Sequence, residues 1–159
     1  MINTTTVFQP IDFVRHMEIC VQFREDSFRA SYPDGDEWRQ HWDEDDYRKW
    51  IPEHAKQFPG GAQHLWLNGE IIGQLEFAYQ DDWAHVNLFY LRPDKRGMGY
   101  GTVLQEFVTD FMRTRGCSSA TLRVSPRNER AMKFYKKHGW QDTGPDRRYP
   151  QVHLYRIEL

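Results

Sequence analysis

Apolar residues recur along this chain with two different periods. Phe13, Val14, Met17, Cys20, Val21, Arg24 and Phe28 fall at helical spacing and predict an amphipathic helix over 10–29, with Pro10 in its first turn. A β-branched strand over 4–9 precedes it. After a turn cluster at 31–36, a second helical stretch carries Trp38, Trp42 and Trp50. Pro52 is expected to break or restart that stretch, and Pro59-Gly60-Gly61 ends it. The period then shortens. Residues 64–67, 70–79 and 83–91 read as strands, the first two joined by Asn68-Gly69, a two-residue hairpin signal. They form an antiparallel meander that Pro93 stops. Val103, Leu104, Phe107, Val108, Phe111 and Met112 make one apolar stripe, so 99–115 is predicted helical with Gly116 as its C-terminal cap. A strand over 119–124, a helix over 128–138 with Asn128 near its N-cap, and strands over 140–143 and 152–159 complete the chain. Strand–helix–strand over 83–124 implies a parallel crossover. The order predicts one mixed α/β (α+β) domain over 1–159.

Composition narrows the class. The chain has 159 residues, 39% apolar and 28% charged, which suits a soluble globule. No apolar run approaches the ~20 residues of a membrane span, and Met1–Thr4 lacks a secretory n-region, so no membrane partner and a cytoplasmic location are expected. Cys20 and Cys117 read as buried thiols. The seven histidines show no metal-ligand spacing, so no metal is expected. Net charge is −2, against a nucleic-acid partner. The total conceals an asymmetry: residues 1–82 hold 7 Lys and Arg against 16 Asp and Glu, and residues 83–159 hold 14 against 7. Either the halves attract each other across the fold or they face partners of opposite sign.

The chemistry centres on Arg96-Gly97-Met98-Gly99-Tyr100-Gly101, which follows a strand and opens a helix. Glycines let the backbone turn tightly. The unpaired N–H groups at the helix start form a phosphate site, and Arg96 adds a positive fork. A P-loop would need Gly-Lys-Ser/Thr, and a dinucleotide fingerprint G-x-G-x-x-G after a parallel strand; neither is present.

The stretch resembles the Arg/Gln-x-x-Gly-x-Gly/Ala signature of the GNAT superfamily of N-acetyltransferases. Leu88–Pro93 looks like that family's apolar strand ending in x-Pro. Further on, Asn128, Ala131, Phe134, Tyr135 and Gly139 match its Asn-x-x-Ala-x-x-Phe-Tyr-x-x-x-Gly-Phe motif, with Trp140 in place of the last Phe. The resemblance implies a central, mostly antiparallel sheet of about seven strands, flanked by about four helices and splayed between 83–91 and 119–124. It implies acetyl-coenzyme A as cofactor, its pyrophosphate on the N–H groups of Arg96, Gly97, Met98, Gly99, Tyr100 and Gly101. The pantetheine arm would run along Phe89 and Leu91 and be held by Asn128. A bulge near Leu91 would aim a free N–H at the thioester carbonyl. Tyr135 would protonate the departing thiolate.

The acceptor must attack as a free amine, and an alkylammonium is only about one part in a thousand neutral at pH 7. Glu76 on the meander is the candidate base, with His85, Asn87 and Glu25 as rivals. Asp43-Glu44-Asp45-Asp46 either forms a solvated surface or attracts a cationic acceptor such as a polyamine or amino sugar, and Trp38, Trp42 and Trp50 either pack or line a cation-binding wall. The basic residues Arg127, Arg130, Lys133, Lys136 and Lys137 fit a nucleic-acid surface or equally one that steers a phosphorylated cofactor, and the second is expected. The expected function is acetyl transfer to a primary amine of a small molecule. A protein amine as acceptor and a non-catalytic acyl-coenzyme A sensor are the alternatives, and a homodimer is open because dimerisation is common in the family.

Overall fold

The computed structural model describes residues 5–159, among which seven strands form one sheet in the order β1-β2-β3-β4-β5-β7-β6. The strands are β1 (Thr6–Pro10), β2 (Ala62–Leu67), β3 (Glu70–Gln80), β4 (Trp83–Leu91), β5 (Ser119–Val124), β6 (Gln141–Pro145) and β7 (His153–Glu158). The helices are α1 (Phe13–Ser31), α2 (Glu44–Gln57), α3 (Tyr100–Thr114) and α4 (Glu129–Lys137). β4 and β5 pair in parallel; the other described pairings are antiparallel. The β2–β3 hairpin turns on Asn68 (φ 49°) and Gly69 (φ 85°), the two left-handed residues that a tight hairpin between twisted strands requires.

Several boundaries differ from the sequence expectation. Pro10 ends β1 instead of entering the helix, and Asp12 caps α1 by accepting from the N–H groups of Val14 and Arg15. Thr4, expected in the first strand, lies outside the described residues. Trp38 belongs to a separate short 3-10 turn over Glu37–Gln40, because the Asp43 carboxylate starts a new helix by accepting from Asp46 N–H. Pro52 sits inside α2 without ending it. The backbone bond it removes costs the helix about 3 kcal/mol, but burial of Tyr47, Ile51 and His54 along one face outweighs that loss.

The two faces of the sheet differ in chemistry. On one, Leu104, Val108 and Met112 of α3 pack against Leu75, Phe77, Ala84 and Val86, and Tyr135 of α4 joins the same cluster. On the other, α1 and α2 bury Cys20, Val21, Tyr47 and Ile51 with Ile11 and Ala62. Beneath these helices lies a buried polar layer formed by His64, Gln74 and Glu76. His64 Nε2 meets Gln74 Oε1 at 2.8 Å. Both cysteines are buried free thiols.

Burial pushes the His64 pKa down to about 4 from 6.5, and burial together with Arg123 does the same to His85. The unfolded chain protonates these rings below about pH 6.5 while the folded chain keeps them neutral to about pH 4. Their contribution to stability is therefore complete above pH 6.5 and lost as the pH falls towards 4, roughly 3 kcal/mol at most for each ring. Urea midpoints are expected to fall steadily across that window, and a midpoint constant from pH 7 to 4 would contradict the buried neutral rings.

Candidate active site

β4 and β5 pair from Trp83↔Ser119 to Val86↔Leu122, and beyond that pair the two strands part. The cause lies on the other side of β4. Glu76 stands opposite Leu88 and Phe77 opposite Val86, so Asn87 is an extra residue, a β-bulge that bends the strand. It also switches the face: Ala84 and Val86 meet the α3 core before it, Phe89 and Leu91 after it. The bulge was expected near Leu91. There the ladder is regular, with Leu91 opposite Gly73 and Arg92 N–H donating to the Ile72 carbonyl at 2.8 Å. Because pairing alternates along an antiparallel ladder, that bond turns the N–H groups of Leu91 and Phe89 away from β3 and into the gap. An extended amide-containing arm can pair there as a further strand would.

The gap opens into a cavity of about 370 Å³ reaching from Val86 and Leu122 to the glycine turn and the exposed side of α4. Gly97 (φ 76°) and Gly99 (φ 93°) are left-handed, and nothing lies within 4 Å of where their Cβ atoms would be. Conformation, not crowding, requires them. Gly101 is needed for the opposite reason: a Cβ there would sit 2.7 Å from Phe134 Cε2, so α3 and α4 could not approach as they do. Gly99 caps α3 without a side chain, leaving the first-turn N–H groups for an anion. Arg96 braces the turn, its Nε donating to the Leu91 carbonyl at 2.8 Å and its Nη2 lying 3.7 Å from Asp26 Oδ2. Arg96, Arg123, Arg130 and Lys137 line this cavity, and no carboxylate does. Met98 is exposed and Tyr100 packs on the core, and neither lines the cavity. Asn128 uses Oδ1 to cap α4 at Ala131 N–H, 3.2 Å, and faces the cavity. Tyr135 is buried edge-on against Phe89, ring centroids 5.7 Å apart, and borders the same space. Burial raises its phenol pKa, so the hydroxyl keeps its proton.

A second cavity, about 540 Å³, lies between α1, α2, β4 and the Tyr149–Val152 loop. It shares Ser27, Ser31, Val86, Asn87, Arg123 and Ser125 with the first, so the two meet where the strands part. Helix α1 presents Arg24, Ser27, Phe28 and Ser31 to it, and α2 presents Asp46, Tyr47 and Trp50, with Asp43 at its cap. Trp42 also lines it, whereas Trp38 is buried between the guanidinium groups of Arg29 and Arg39. Within the acidic run, Glu44 pairs with Arg48, while Asp43 and Asp46 border the cavity.

Glu76 does not reach either cavity. Its side chain is wholly inaccessible, ion-paired to Arg24, with Oε2 accepting from Tyr47 Oη and Gln74 Nε2, each at 2.6 Å. A carboxylate so occupied is not the proton acceptor expected of it. His85 does line the second cavity. Its Nε2 lies 3.2 Å from Arg123 Nη1, which can only donate, so its own proton is on Nδ1, facing Thr121 Oγ1 at 2.8 Å. With a pKa near 4, it too is a poor base. Glu25 accepts from the Trp42 indole.

Residues 18–140 match the model of the acetyltransferase (GNAT) family. The chain belongs to that family. Its structure resembles PaiA N-acetyltransferase of Thermoplasma acidophilum, solved in complex with coenzyme A, with TM-score 0.79 at 15% identity over 98% of this chain and 99% of that one. It also resembles the ribosomal-protein-S18-alanine N-acetyltransferase of Escherichia coli, with TM-score 0.65 at 15% identity over 97% and 94%. Among curated proteins it is 35% identical to bovine thialysine N-epsilon-acetyltransferase over 88 residues, 53% of this chain and 50% of that protein. It is 37% identical to an Escherichia coli peptidyl-lysine N-acetyltransferase over 60 residues, 38% and 37%. The chain thus spans about half the length of the first of these relatives and less of the second. GNAT enzymes use acetyl-coenzyme A, and the positive-φ glycine turn, the outward N–H groups of β4 and the Arg130 and Lys137 side chains on the first cavity suit that molecule.

Sequence reasoning missed Arg24, Tyr47, Ser125 and Tyr149 as cavity residues, whereas Arg130, expected on a surface that steers the cofactor, does line the first cavity. A signal existed for some: Arg24, Ser27, Phe28 and Ser31, like Asp43, Asp46, Tyr47 and Trp50, are spaced i, i+3, i+4, i+7 and so share a helix face. Tyr149 lies in a loop and carried none. Gly99→Ala forces a left-handed alanine, a strain of about 1–2 kcal/mol, and is expected to weaken acetyl-coenzyme A binding about tenfold in calorimetry. Unchanged affinity would detach this turn from the phosphates.

Proposed function

We propose that the chain transfers the acetyl group of acetyl-coenzyme A to a primary amine of a small, cationic molecule, by direct attack with both substrates bound. The observation that carries this reading is the meeting of a basic cavity and an acid-rimmed one at the parted strands. Acetyl-coenzyme A supplies an acyl carbon already activated as a thioester. The N–H groups of Arg96 to Gly101 bind the diphosphate; Arg130 and Lys137 stand beside it. The outward N–H groups of Phe89 and Leu91 orient the arm, and one of them serves the thioester carbonyl, a hydrogen bond typically worth about 3 kcal/mol as charge develops on that oxygen. Asn128, with Oδ1 committed to the helix, has its Nδ2 left for the arm. Tyr135 gives its proton to the departing sulfur; its raised pKa keeps that proton available at neutral pH. The two curated relatives, named for N-acetylation of thialysine and of peptidyl-lysine, support an amine acceptor. Enclosure of the second cavity by two helices and a loop favours a small one.

The six residues common to both cavities include no carboxylate and no histidine. The amine therefore enters neutral, having lost its proton to solvent. With a saturating cofactor, kcat/KM for the acceptor is expected to rise about tenfold per pH unit from 6 towards the amine's own pKa, whereas a plateau near pH 7 would reveal an internal base. Tyr135→Phe is expected to lower kcat about 100-fold in a thiol-release assay while acetyl-coenzyme A binds normally in calorimetry. Normal turnover would remove Tyr135 from the reaction.

A further inference from the structure

The wall of the second cavity is unusual in how its charges cancel. Arg24 lies against it with a side chain only 14% exposed, flanked by the rings of Tyr47 and Trp50 at 5.3 and 5.6 Å. Its Nε and Nη2 both donate to Oε1 of the inaccessible Glu76, the Nε bond being 2.9 Å. Arg123, the other arginine on the cavity, has Nε 3.2 Å from Asp146 Oδ2, and His85 is neutral at physiological pH. The deep part of the cavity therefore carries no net positive charge. Asp43 and Asp46 at its rim take part in no ion pair among the described residues, and Trp42, Tyr47, Trp50 and Tyr149 stand around the same space. Glu76 is thus not a spare buried acid. Without it, an uncompensated guanidinium would face the acceptor.

An acceptor with a single amine gains little from such a wall, because it must shed its charge before it can attack. The attraction would vanish in the competent form. We propose that the acceptor carries a second cationic group, an ammonium or guanidinium at the far end of a short chain, which stays charged at the rim while the first amine reacts at the parted strands. This deepens, and rests on, the assignment of the second cavity to the acceptor. Asp43 and Asp46 hold the retained charge, the aromatic rings cover its methylenes and face the cation, and Glu76 is a positioning residue that acts through Arg24 and Tyr47. Its carboxylate fixes both side chains in the wall and cancels the one charge that would repel a dication.

The test uses the full chain, acetyl-coenzyme A and matched pairs of acceptors: 1,4-diaminobutane with butylamine, and 1,5-diaminopentane with pentylamine. Thiol release is read as kcat/KM corrected for the neutral-amine fraction. Each diamine is expected to exceed its monoamine at least tenfold, with the advantage shrinking as salt is raised. Asp43→Asn with Asp46→Asn, which retains a residue able to cap the helix, should narrow the ratio to within about threefold. Glu76→Gln should narrow it as well, through KM for the diamine more than through kcat; a purely structural loss would lower both acceptors alike. If Glu76→Gln fails to fold, the exposed aspartate pair still decides. Equal kcat/KM for diamine and monoamine in the wild type, or an aspartate variant that lowers both equally, overturns the second-charge inference alone. Failure of every amine to release thiol while calorimetry still detects acetyl-coenzyme A removes the acceptor assignment, and this inference with it.

Discussion

The separation of β4 from β5 after Val86 and Leu122 is the constraint on which the rest of the molecule depends. A parallel pair with helices on both faces would normally stay closed and buried. One extra residue, Asn87, prevents that. It bends β4, reverses which side chains face α3 and α4, and turns the main-chain donors of Phe89 and Leu91 into open space. An unpaired N–H buried in a protein carries a cost of about 1–3 kcal/mol, so such groups persist where a ligand completes them. The gap is in effect a missing strand, and the substance that fills it has to offer amide groups at strand spacing.

Charge is distributed to match. The first cavity is lined by four basic side chains and no acid, the second has the carboxylates of Asp43 and Asp46 at its rim, in no ion pair among the described residues, and the strands that part lie between them. The acidic first half and basic second half of the chain follow from this arrangement only in part. Arg127 of the basic half bridges Asp34 and Glu37 of the acidic half at 2.9 and 2.8 Å, and Arg96 approaches Asp26. Some charges therefore hold the halves together, while others, Arg130 and Lys137 on the first cavity and Asp43 and Asp46 on the second, line open space.

The legible parts of the molecule are those encoded locally. Asn68-Gly69 specifies its own turn, the α3 stripe its own buried face, and the glycines around Gly99 their own left-handed backbone, so hairpin, helix and glycine turn could all be read from short windows. The bulge could not, because its position is a relation between β3 and β4: the count of residues opposite one another decides it, and no residue type at Asn87 announces it. Pro52 misled because a local penalty was weighed without the tertiary burial of Tyr47, Ile51 and His54 that exceeds it. Glu76 misled for a related reason. A strand carboxylate beside a splayed pair reads as a base until Arg24 and Tyr47, distant in sequence, are seen to occupy it.

That occupation also explains why a polar layer is retained under α1 and α2, where apolar side chains would pack at lower cost. Replacing a buried ion pair with a hydrophobic cluster is commonly neutral or stabilising, so the Glu76–Arg24 pair gains the fold little. What they supply is a wall of fixed shape and cancelled charge. Tyr47 and Arg24 are held by bonds to Glu76, which leaves few rotamers open to them, and the cavity beside the parted strands is set before any acceptor arrives. An apolar layer in the same place would hold the sheet against the helices equally well. It would leave nothing to orient the Arg24 guanidinium that borders the second cavity, and, on the proposed assignment, selectivity for the acceptor would then rest on Asp43 and Asp46 alone.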